Sequence, residues 1–160
     1  MILVKLNYFL NIYQIGKDKM IFTKNDVKKY DVSNMRDSIL SFPTQLNNMI
    51  KKIDSFQLNN KFDQIDNILI LGMGGSAIGA EICQVLIKDK CKIPIIINRN
   101  YVIPNWVNKK TLVIASSYSG NTEETVEAYL NTLKLTVNII VISTGGKLSK
   151  LAKNNNNILC

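Results

Sequence analysis

The segment Ser116-Ser-Tyr-Ser-Gly-Asn-Thr122 puts three hydroxyl side chains, Ser117, Ser119 and Thr122, around a flexible Gly120. Hydroxyls at that density, together with main-chain amides, satisfy several phosphate oxygens without a cation, which suits a ligand that must leave again. Helix capping is the plainer reading, since Asn121 and Glu124 have capping-box spacing. One cap does not need three hydroxyls, so the phosphate reading is favoured. Glu123 and Glu124 complement a helix dipole and are expected to point away from an anion.

A second segment, Gly72-Met-Gly-Gly-Ser-Ala-Ile-Gly79, offers Gly74 and Gly75 for close backbone approach and Ser76 as a further donor. Two other readings apply to it. Its glycines could simply make a tight turn, or they could form a dinucleotide fingerprint of the G-x-G-x-x-A kind. The latter expects an acid at the end of the next strand, where Asn98 and Arg99 stand instead, leaving at best a site of the NADP type. A third small-residue segment, 143–146, either clears space beside the site or is only a turn.

Such loops must be held by strands. Apolar runs at 67–71, 93–97, 111–115 and 138–142 lack alternation, so each reads as a strand buried on both faces. Between and after them, 77–87, 122–133 and 147–152 carry helical spacing, and βαβ repetition implies a parallel sheet covered by helices. The expected class is α/β, a doubly wound, flavodoxin-like parallel sheet in three α/β/α layers. Its ligands should sit outside the carboxyl ends of the strands, in the loops just described. The last residues, 154–160, read as a loop entering a fifth strand at which the sheet is truncated. Upstream, 35–40 and 43–56 read as two short helices, with Pro43 suited to a first turn.

Composition excludes several classes. With 160 residues, 46% of them hydrophobic, the chain has material for one substantial core. Its net charge of +8 prompts a search for a nucleic-acid surface, but only Arg36 and Arg99 are arginine and the lysines are scattered, so no nucleic-acid partner is expected. Cys83, Cys91 and Cys160 lack metal-ligand spacing and are odd in number, which fits a reducing cytoplasm. There is no histidine, which removes imidazole-based catalysis and histidine metal sites; no metal and no cofactor are expected. The apolar start of the chain is interrupted by Lys5, Asn7, Asn11 and Gln14 and is too short to span a bilayer, so residues 1–29 read as an extension, with no membrane partner.

Taken together, residues 72–79 and 117–125 resemble the paired motifs of sugar isomerase (SIS) domains, and specifically those of bifunctional phosphoglucose/phosphomannose isomerases. Met35-Arg36-Asp37 and Phe42-Pro43-x-x-Leu46 resemble that family's amino-terminal helices, so the similarity spans residues 30–160, read as the first of two SIS domains. The resemblance implies interconversion of aldose and ketose 6-phosphates through an enediol. The phosphate would be held by Ser76, Ser117, Ser119 and Thr122, with Gly75 close to the sugar. It also implies that the glutamate base, ring-opening histidine and catalytic lysine lie in a second domain, and a phosphate-side arginine just past residue 160. The expected function is therefore the sugar 6-phosphate-binding half of an isomerase, inactive alone and a homodimer when full length. The alternative is a stand-alone SIS module that senses sugar phosphates.

Overall fold

The computed structural model describes residues 29–56, 58, 62 and 64–160. The amino-terminal extension thus lies outside the described residues, except for its last member. By its internal packing the chain divides into two compact units, one ending at Leu58 and the other beginning at Asn59.

The first unit holds helices α1 (Met35–Leu40) and α2 (Phe42–Ser55), close to the expected pair. Asp31 starts α1 by accepting the Met35 and Arg36 amides at 2.7 and 2.8 Å, so its carboxylate satisfies donors that have no partner in a first turn. Pro43 sits in the first turn of α2, where its missing N–H costs nothing.

The second unit follows the order β1 (Asn67–Leu71), α3 (Gly74–Ile87), β2 (Ile95–Asn98), β3 (Thr111–Ser116), α4 (Glu123–Thr132), β4 (Ile139–Ile142), α5 (Gly146–Asn154) and β5 (Ile158–Leu159). Its five strands form one parallel sheet in the order β2-β1-β3-β4-β5, the flavodoxin-like doubly wound topology expected from the sequence. Two boundaries moved for physical reasons. β2 opens at Ile95, after Pro94, which has no N–H to donate to the ladder and contributes only its carbonyl to the Ile68 amide. α3 begins three residues early, at Gly74, because the glycine-rich turn itself winds into its first turn.

The register aligns Leu69 with Val113 and Val113 with Ile139, and Leu71 with Ala115 and Ala115 with Val141. Those side chains share one face of the sheet and are buried against Val126, Ala128 and Tyr129 of α4 and Leu148 and Ala152 of α5. The opposite face is covered more thinly. Ile68, Leu112 and Ile114 are only half-buried, and α3 packs through the small Ala77 and Ala80 while Ile78, Ile82, Val85 and Leu86 stay exposed. Right-handed crossovers explain the division: the chain leaves β1 toward β2 on one side, but leaves β3 and β4 toward β4 and β5 on the other.

Candidate functional site: the loops after β1 and β3

β1 and β3 are hydrogen-bonded neighbours, with Leu71 level with Ala115, so the two motif loops leave the sheet side by side. At Gly72 a β-carbon would stand 3.3 Å from the Ser116 carbonyl oxygen, a spacing that keeps the first loop tight against β3. Gly74 has φ +49°, a left-handed conformation that favours glycine. Around Gly74 and Gly75 there is open space, with nothing within 4 Å of where a β-carbon would lie. The Ser76 and Ala77 amides turn back to the Met73 carbonyl at 3.1 and 3.4 Å. This leaves the Gly74 and Gly75 amides at the positive end of α3, without an acceptor in the helix.

Across from them, Ser117 is 2% exposed and is tied in three ways. Its amide continues the ladder to the Ile142 carbonyl at 3.0 Å, its Oγ accepts the Gly120 amide at 3.2 Å, and its Oγ lies 3.0 Å from Thr122 Oγ1. In that hydroxyl pair one proton joins the two oxygens and the other remains free to be donated onward. Ser119 is exposed and its Oγ accepts the Asn121 amide at 3.2 Å. The structure therefore brings Ser117, Ser119 and Thr122 into a single turn, with Ser119 and Thr122 outermost and Ser117 behind. Gly75 and Ser76 lie in the first turn of the neighbouring α3.

The capping reading of this turn fits less well. α4 starts at Glu123 with Thr122 as its cap residue, and no side chain caps it. Asn121 is turned elsewhere: its Oδ1 accepts the Lys147 amide of α5 at 3.0 Å. Two further contacts join the β3 loop to residues 143–148. The Leu148 amide donates to the Gly120 carbonyl at 2.8 Å, and Thr144 donates both its amide (3.2 Å) and its Oγ1 (2.6 Å) to the Tyr118 carbonyl. Gly120 and Gly146 both adopt positive φ, +67° and +70°. A β-carbon on either would collide with backbone of the other loop, Gly145 and Ser119 respectively. The sequence marks 143–146 only as a spacer or a turn and Asn121 only as a cap; it does not show the tie from Asn121 to α5 or the role of Thr144. The adjacent glycines Gly145 and Gly146 were the available signal.

At the end of β2, Asn98 is buried and donates to the Asn100 and Val102 carbonyls, both at 3.1 Å, fixing the following loop. Arg99 is paired with Glu81 at 2.6 Å. It is the residue on which an NADP-type reading relied, and here it forms an exposed ion pair. Glu124 lines a narrow crevice with Gly72, Met73 and Asn98. Tyr101 titrates above the ordinary phenol range, chiefly from lost hydration and then from the negative fields of Glu123 and Glu124. Among the described residues no group of His, Cys, Asp and Glu is placed to hold a metal ion, and no helix is long and apolar enough to cross a membrane.

The five-stranded parallel sheet flanked by helices is the α/β fold of phosphosugar-isomerase-type domains. Solved structures agree on the fold: the C-terminal domain of glucosamine-fructose-6-phosphate aminotransferase from Francisella tularensis superposes with a TM-score of 0.61 at 22% identity, covering 72% of this chain and 36% of that one. A proposed phosphosugar isomerase of Clostridium difficile 630 superposes with a TM-score of 0.63 at 20% identity, covering 72% and 35%.

At the sequence level the chain is 48% identical over 119 residues to the bifunctional phosphoglucose/phosphomannose isomerase of Caldicellulosiruptor bescii, 74% of this chain and 35% of that protein. It is 42% identical over 96 residues to the protein of the same name from Thermoplasma volcanium, 60% and 31% of the two chains. The resemblance to bifunctional phosphoglucose/phosphomannose isomerases is borne out by these relatives. The chain spans about a third of the length of these curated relatives. No protein-family model matches it.

Proposed function

We propose that this chain holds a sugar 6-phosphate at the joined mouths of the loops after β1 and β3. In this reading it is the phosphate-binding part of an aldose–ketose isomerase that interconverts glucose 6-phosphate or mannose 6-phosphate with fructose 6-phosphate. The observation that carries the proposal is the Ser117–Thr122 hydroxyl pair, beside Ser119 and next to the open ground over Gly75. Ser119 and Thr122 donate hydrogen bonds to the phosphate, Ser117 donates to Thr122 Oγ1 and so leaves the Thr122 proton free for the ligand, and Ser76 closes the cradle from α3. The amino ends of α3 and α4 add positive potential. Relatives named bifunctional phosphoglucose/phosphomannose isomerase support the choice of ligand.

Isomerisation through an enediol also needs an acid and a base matched to the working pH. The hydroxyls and amides of this cradle do not supply that pair, and with no histidine the chain has no imidazole to offer. Proton transfer is therefore assigned to residues outside these 160, and the isolated chain is expected to show no conversion of fructose 6-phosphate in a coupled assay. Turnover above background by this chain would overturn that division of labour. Calorimetric titration with glucose 6-phosphate tests the cradle itself: saturable binding is expected, weakened about tenfold by Thr122→Val, the scale of one hydrogen bond to a charged group. Binding untouched by that change would remove the site assignment.

A further inference from the structure

We infer that Asn121 is a positioning residue for the phosphate cradle, and that the loop after β4 serves as its frame. This rests on the sugar-phosphate reading above. The hydroxyl turn 117–122 has few internal restraints of its own: two bonds to Ser117 Oγ, one between the Gly120 amide and the Ser117 carbonyl, and one between Ser119 Oγ and the Asn121 amide. Its ends are fixed by the Ser117 amide on the Ile142 carbonyl and by the Val126 amide on the Thr122 carbonyl, and the anchors between them come from the neighbouring segment. Asn121 Oδ1 takes the Lys147 amide, the Gly120 carbonyl takes the Leu148 amide, and the Tyr118 carbonyl takes two donors from Thr144.

Asn121 occupies a particular place in this set. Its backbone amide is held by Ser119 Oγ while its side-chain oxygen is held by α5, so one residue couples the orientation of the Ser119 hydroxyl to the first turn of a helix packed on the core. Because the partner is an N–H, the side-chain atom must be the oxygen. Asn121 is exposed and fills no core space, so the contact is worth little to global stability. Its effect falls on the shape of the turn. Loosening that anchor lets Ser119 and Thr122 sample directions in which they do not both face one anion, and binding falls even though every donor is still present.

The test compares the parent 160-residue chain with Asn121→Ala and Thr144→Val, reading amide hydrogen exchange, thermal melting and glucose 6-phosphate affinity by NMR titration. Asn121→Ala is expected to melt within about 5 °C of the parent. Its Lys147 amide should exchange about tenfold faster or more, and its affinity should fall about tenfold. Thr144→Val, which removes one of two donors to the same carbonyl, should lower affinity about threefold and serves if the alanine variant does not fold. An Asn121→Ala chain that binds within about twofold of a parent that does bind overturns the positioning role. So does an unchanged Lys147 exchange rate. A parent that shows no binding at all overturns the ligand reading on which the role depends, and the exchange data then report separately whether Asn121 anchors the turn.

Discussion

Gly120→Ala should unfold the second unit at a markedly lower temperature, because two independent constraints meet at that residue. With φ at +67°, a side chain there incurs the left-handed penalty of about 1–2 kcal/mol. The new β-carbon would also collide with the Gly145 carbonyl, which is backbone and has no rotamer by which to move away. The two loops must then separate, lengthening the Leu148-to-Gly120 bond and the Thr144-to-Tyr118 pair, at about 1 kcal/mol each. The total is roughly 3–5 kcal/mol, or a melting temperature lower by about 14–23 °C in a unit of about this size. Gly79→Ala is the internal control: its β-carbon meets open space within a helix, so it should hold stability or raise it by up to about 1 kcal/mol. Circular dichroism melts of both variants decide the matter. A Gly120→Ala chain that melts within about 2 °C of its parent would refute the interlock between the β3 and β4 loops.

Other outcomes follow from the same structure. Tyr129 is fully buried and donates to Asn157 Oδ1 at 2.6 Å, so Tyr129→Phe should cost about 1 kcal/mol in urea unfolding; no change would mean the bond carries nothing. Val85 is 63% exposed on α3, so Val85→Lys should change stability by less than about 0.5 kcal/mol, and a larger loss would show that the α3 face is covered. Since the chain has no histidine, its sugar-phosphate affinity between pH 5 and 7 should follow the second ionisation of the ligand's phosphate, with a midpoint near 6, rising as the dianion forms. A pH-independent titration over that range would argue against phosphate as the recognised group.

The strands were legible because a parallel sheet covered by helices demands unbroken apolar runs, and Asn67–Leu71 and Thr111–Ser116 present them with clear borders. The start of α3 was less visible, since glycine is a poor helix former, yet α3 opens at Gly74 and Gly75. Of the site, the hydroxyl turn could be read from its own residues. What steadies it could not: Asn121, Thr144 and Gly146 act across 26 positions of chain, and their pairing exists only once β3 and β4 lie side by side. Asn121 was legible as a cap because its local spacing fits one, and the α5 amide outcompeted that local role.

The central claim, that the loops after β1 and β3 form one phosphate cradle, is tested most directly by titrating glucose 6-phosphate into the isotopically labelled chain and following every assigned amide. The account predicts saturable shifts confined to Gly74, Gly75 and Ser76 on one side and to Ser117, Ser119, Gly120 and Thr122 on the other, with one dissociation constant for both groups. Shifts restricted to one loop, or centred on Asn98 and Arg99 at the end of β2, would contradict it.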